Sequence, residues 1–114
     1  MSQSNKKSIV SHLIQLMAHI IKWKSQPNKR SHSWETTIDR TRRDIENIKR
    51  KQPSLTDDFL KSLWDSIFKK ATNTAENEMH EPSKVKQLTW NDVFFSKYTL
   101  LIVVIVAVAY FMRG

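Results

Sequence analysis

Apolar residues recur along most of the chain at spacings of three, four and seven, the period of helices laid with one face against a core. In the first stretch Ile9, Leu13, Leu16, Met17, Ile20 and Trp23 mark that face, and Val10, Ile14 and Ile21 widen it into an unusually broad arc. A second stretch opens at Ser31 or Ser33, either of which suits an N-cap, and sets Trp34, Ile38, Thr41, Ile45 and Ile48 on a narrow stripe among charges. The third begins at Ser54-Leu55-Thr56-Asp57-Asp58, a hydroxyl cap with two carboxylates at the positive end of the helix dipole. It continues through Phe59, Leu60, Leu63, Trp64, Ile67, Phe68, Ala71 and Ala75 as the clearest amphipathic helix of the body. Pro27, Pro53 and Pro82 punctuate these pieces, and after Ala75 the pattern lapses into a polar stretch, with residues 81–88 reading as a linker.

The fourth piece carries the strongest start signal. Thr89 and Asp92 form a capping box, and Leu88 is placed to staple onto Val93. From Tyr98 to Met112 every residue except Thr99 is apolar. A helix from Trp90 to Met112 would rise about 34 Å at 1.5 Å per residue, enough to cross a hydrocarbon layer of about 30 Å. Lys97 would keep its ammonium among headgroups while its stem lies along the helix. Trp90, Phe94, Phe95 and Tyr98 before the run and Tyr110 after it occupy the places where amphipathic rings mark membrane interfaces. Three modest helices offer too little protein to enclose such a run as a core. The fold class expected is therefore all-α: a small three-helix antiparallel body over residues 1–80, the linker, and an interfacial and transmembrane helix over 89–114.

Charge adds an orientation to this picture. The chain has 19 Lys plus Arg against 11 Asp plus Glu, a formal net charge of +8. Lys84, Lys86 and Lys97 precede the apolar run and only Arg113 follows it, so the body is expected on the cytoplasmic side. That makes the chain a tail-anchored, single-pass protein of a bacterial inner membrane, or of the thylakoid membrane in a cyanobacterium. Within the body the second helix is the basic element. Arg40, Arg42, Arg43, Lys49, Arg50 and Lys51 wrap around it, and with Lys97 they are the candidates for contact with anionic lipid or another anionic partner. Asp39 with Arg43, and Glu46 with Arg50, stand in the favourable order for pairs four apart.

Composition removes several chemistries. Cysteine is absent, which excludes disulfides, thiolate catalysis and thiolate metal sites, and the single glycine is Gly114. Phosphate-cradling loops and nucleophile elbows need glycine inside the chain and cannot be built here. His12 and His19 lie seven apart, and His32 and His80 stand in turn and linker, so no metal-ligand spacing emerges. No catalytic constellation, cofactor site or metal site is expected.

The run Leu16-Met17-Ala18-His19-Ile20-Ile21-Lys22-Trp23, then Gln26-Pro27, then Arg30-Ser31-His32-Ser33-Trp34 with Thr37-Ile38, resembles the core motif of a bacterial family known as domain of unknown function 29, common in cyanobacteria. Arg42 or Arg43 with Ile45, and then Pro53-Ser54-Leu55, continue the resemblance over about residues 8–80. It implies an all-α fold, with His19, Trp23, Pro27, Trp34 and Ile38 as structural core of the motif, and it implies no activity. Against the family's pattern, the chain is expected to lack an N-terminal helical region and to carry a membrane span in place of a polar end.

These readings together describe a membrane-anchored accessory subunit, tether or regulator, not an enzyme, whose partners are the lipid bilayer and a protein or a second copy of itself. The alternative is a basic module that binds nucleic acid at the membrane. A small membrane-active toxin is a third reading.

Overall fold

The computed structural model describes residues 2–100 and Met112. Among these residues the elements are helices α1 (Ser2–Ser25), α2 (His32–Lys51), α3 (Asp57–Ser62), α4 (Trp64–Met79) and α5 (Trp90–Phe94), with a 3-10 turn at Pro27–Lys29 between the first two. The all-helical character matches the periodicity of the sequence.

Helix α1 is the axis of the body. It packs against both α2 and α4, which make little contact with each other. Asn5 at its start bonds Gln52, just beyond the end of α2, at 2.8 Å, so α1 and α2 are antiparallel. Lys22 near its end meets Glu78 near the end of α4 at 2.6 Å, so α1 and α4 run the same way. Flanked on both sides, α1 has no single apolar face: Ile9, Leu13, Leu16, Met17, Ile20 and Ile21 are all fully buried. The broad arc is thereby explained, because a central helix must be apolar over more than the usual width.

Local chemistry sets the ends. Arg30 Nε donates to the Trp23 carbonyl at 2.8 Å, satisfying one of the orphan acceptors where α1 gives way to Pro27. Of the two serines able to cap α2, Ser31 does so, its hydroxyl accepting from the Trp34 amide at 3.2 Å. Ile38, Thr41 and Ile45 form the buried stripe of α2. Thr56 caps α3 in the same way, through the Phe59 amide.

The third helix of the sequence reading is two. Leu63 takes φ −104° and ψ 3°, outside the α-helix, and α4 starts afresh at Trp64. No proline or glycine causes this. Ser62 Oγ donates to the Phe59 carbonyl at 2.6 Å and the Leu63 amide turns to Leu60, a tightening of the last turn of α3. Helix α4 then buries Ile67, Ala71, Ala75 and Met79 and ends at His80, which adopts the left-handed conformation at φ 58°.

The greatest departure from expectation lies beyond α4. Residues 81–100 form a strap that crosses α1 and bridges α4 to α2. The Lys84 amide donates to Ser25 Oγ at 3.1 Å, Gln26 Nε2 donates to Glu81 at 2.9 Å, and the Trp64 indole donates to the Leu88 carbonyl at 2.8 Å. The capping box is present, with Asp92 N on Thr89 Oγ1 at 3.0 Å and Thr89 N on Asp92 Oδ2 at 2.9 Å. The helix it starts, however, ends at Phe94. The amides of Phe95 and Ser96 both turn onto the Asn91 carbonyl, Tyr98 Oη reaches back to the Asp92 carbonyl at 2.7 Å, and the Leu100 amide donates to Glu35 at 3.2 Å.

The transmembrane helix is corrected accordingly. Among the described residues no helix is long and apolar enough to cross a membrane. Tyr110 and the rest of residues 101–111 lie outside the described residues. Of the aromatic residues assigned to a membrane interface, Trp90, Phe94 and Tyr98 have protein neighbours instead. Trp90 packs on Trp64 and Phe94 with ring centroids 5.4 and 4.4 Å away, and Tyr98 meets the edge of Trp23 at 6.1 Å. Leu88, Val93 and Tyr98 belong to the same core as α1, whereas Phe95 faces solvent. The tail-anchor, orientation and bilayer expectations all rested on that helix.

Because Val93 is fully buried, Val93→Ala is expected to cost about 2 kcal/mol by removing packed methyl groups from the core. Urea denaturation of the full chain measures this; a body independent of residues 89–100 would show no change in midpoint.

Candidate functional site

The arginines and lysines of α2 look alike in sequence but take three different roles. Arg42 turns inward to the strap: its Nε donates to the Val93 carbonyl at 2.8 Å, its Nη2 reaches the Asp92 carbonyl at 3.4 Å, and its guanidinium lies 5.5 Å from the centroid of the Tyr98 ring. The acceptors it finds belong to the end of α5, where carbonyls lack intrahelical partners. Lys49 bridges to Asp57 at 2.6 Å and to Glu46 at 3.7 Å, tying α2 to α3. Arg40, Arg43, Arg50 and Lys51 are exposed and form no ion pair among the described residues. The pairs expected four apart do not form; Arg50 donates to Asn47 at 3.3 Å and Glu46 turns to Lys49. Lys97 is exposed beside a recess that it lines with Glu35, Asp39 and Arg42.

The motif residues are spread through the body. Trp23 and Ile38 are buried, Trp34 is half-buried, and Pro27 is exposed at the start of the 3-10 turn. His19 is half-buried on α1, its Nδ1 donating to the Gln15 carbonyl at 3.0 Å. Burial pulls its pKa below the usual value of 6.5, partly offset by that hydrogen bond, with Lys22 also lowering it and Glu78 raising it. His12 makes the corresponding bond to the Ser8 carbonyl at 2.7 Å and stands 3.6 Å from Asp44. His32 instead faces Thr36, so His19 and His32 have separate local partners. No group of three or more His, Asp or Glu among the described residues is arranged to hold a metal.

The feature that sequence reasoning missed is a groove along the first half of α1. Val10 and Ile14 of α1 with Phe59 of α3 and Leu63 form its shallow floor, and Lys6, Lys7 and Ser11 edge an open space of about 360 Å³. No carboxylate lines it. Lys6 Nζ sits 5.8 Å from the centroid of the Phe59 ring, so the cation covers one end of the apolar floor. The α1 flank is basic, since Lys6 and Lys7 stand on it and the first Asp or Glu of the chain is Glu35, whereas Asp57 and Asp58 precede Phe59 in the first turn of α3, with Asp57 bound to Lys49. Val10 and Ile14 were read only as widening the core arc. Their separation by four, one turn along from Lys6 and Lys7, was the available signal.

Comparison with known families now adds one finding. The family described as Domain of unknown function DUF29 matches residues 1–97. The chain belongs to the DUF29 family. The match reaches Lys97 and so takes in the strap through Tyr98's immediate neighbour, in keeping with a strap that is part of the packed domain. It also begins at residue 1, so the departures from the DUF29 pattern expected at the two ends, a lost N-terminal region and a substituted membrane tail, are not supported. No curated protein and no solved structure matches the chain.

The depressed His19 pKa has a definite consequence for stability. Between the folded value and 6.5 the unfolded chain binds more protons than the folded one, so stability rises with pH there and is lost on acidification. Asp92, whose pKa is held below 3.8 chiefly by the Thr89 amide, loses its contribution only at still lower pH, as pH falls through its folded value. Urea midpoints at about pH 7.5 and pH 5.5 are expected to drop for the wild type and to drop less for His19→Gln; equal drops would show that His19 does not carry the effect.

Proposed function

We propose that this DUF29 chain works by binding a protein partner, as an accessory or regulatory module, and not by catalysis. The observation that carries this reading is the groove between α1 and α3, an apolar floor left open beside an otherwise covered core. Grooves between packed helices are where proteins accept an amphipathic helix, because the apolar strip of the partner completes the packing. Phe59 and Leu63 are half-buried there, while the residues behind them, Leu60 and Ile67, are fully enclosed. The groove spans Lys6 to Ile14, about 12 Å at 1.5 Å per residue, or two helical turns. A contact of that length suits reversible association better than a permanent complex.

The histidines support the same reading. His12 and His19 each spend Nδ1 on a backbone carbonyl of their own helix, an arrangement that holds a ring in place. A second reading is favoured by a separate observation: Arg40, Arg43 and Arg50 share one exposed edge of α2 and form no ion pair among the described residues, a surface suited to phosphates.

Photo-crosslinking separates the two. A photoreactive residue at Ser11, exposed at the groove, is expected to give a discrete protein adduct in cells. The same residue at Arg43 is expected to give none. Adducts to nucleic acid at position 43, with none at position 11, would replace the first reading by the second.

A further inference from the structure

We infer that the occupant of the groove is an amphipathic helix of another protein that carries acidic residues at the end lying beside Lys6 and Lys7. This deepens the binding role proposed above and rests on it. The apolar and charged parts of the groove are separated along its length. Val10, Ile14, Phe59 and Leu63 supply an uncharged floor, and both lysines stand at the start of α1. A helix that fills the floor needs apolar side chains at i, i+3 or i+4, and i+7, spanning the two turns available.

Charge decides the chemistry of its flank. Lys6 and Lys7 are exposed and form no ion pair among the described residues. The first turn of α1 contains no acidic residue, so the positive end of its dipole adds to the two ammonium groups. A basic helix laid in the groove would face like charge from Lys6 and Lys7, and no carboxylate is among the residues that line it. An acidic one gains at the lysine end and is held in one direction along the groove.

The same argument sets a second copy of this chain aside. An isologous contact would set each groove against the same groove of its partner, whose lining offers Lys6 and Lys7 and no carboxylate. Acidic residues in α1, which could relieve this, do not exist.

The test is a displayed library of helical peptides with randomised faces, selected on the full-length protein and counter-selected on Ser11→Arg. That variant plugs the groove from an exposed position and leaves the core untouched, as circular dichroism would verify. Enriched peptides are expected to show the apolar spacing with Asp or Glu gathered at one end. Their affinity is expected to fall about tenfold or more on Lys6→Glu with Lys7→Glu, and to weaken in about 0.5 M salt. Apolar peptides without acidic bias overturn the inference while leaving the groove as a binding site. Peptides that bind Ser11→Arg equally well overturn the groove reading itself. A dimer in sedimentation that Ser11→Arg dissociates assigns the groove to a second copy and overturns the inference.

Discussion

Covering α1 is the constraint on which the rest of the structure depends. A helix buried along most of its length at Ile9, Leu13, Leu16, Met17, Ile20 and Ile21 cannot be enclosed by two helical neighbours, each of which shields one side. A third covering element is required, and the strap of residues 81–100 supplies it by inserting Leu88, Val93 and Tyr98 over the gap between α2 and α4. Each fully buried aliphatic side chain contributes about 1.5–3 kcal/mol, so a central helix of this kind accounts for much of the driving force in a chain of this length.

The strap itself has little regular structure, and its backbone groups need partners that helices would otherwise provide. Side chains of the body supply them. Trp64 donates to Leu88, Arg42 to Val93 and Asp92, Ser25 accepts from Lys84, and Glu35 accepts from Leu100. Arg42 suits its place because a planar guanidinium can serve two carbonyls while lying over the Tyr98 ring. Its burial lowers the pKa, an effect that Tyr98 and Asp39 partly offset, and the charge is retained. A cation in this position is a clamp for the fold and is withdrawn from any outside partner.

The two sides of α1 therefore differ in kind. On one side the strap closes the core and occupies Arg42 and the rings of Trp90, Phe94 and Tyr98. On the other, α1 and α3 meet only loosely, and the floor of Val10, Ile14, Phe59 and Leu63 stays open beside Lys6 and Lys7. The break at Leu63 contributes to both. It lets α3 lie against the start of α1 while α4 begins anew with Trp64, whose indole holds the strap.

The helical character of the chain, the serine and threonine caps at Ser31, Thr56 and Thr89, the buried stripe of α2 and the DUF29 motif were all legible in the sequence, because they depend on residues within one or two turns of each other. The same local logic went astray after Thr89. An aromatic cluster beside an apolar run has the composition of a membrane boundary, and composition does not say whether a ring will meet lipid or Trp64. Only the folded chain decides that, by bringing residues 88–98 back across α1 from more than 60 positions away in the sequence. The roles of Arg42, Lys49 and Arg43 are divided for the same reason: their charges are alike, and what separates them is the element that faces each one.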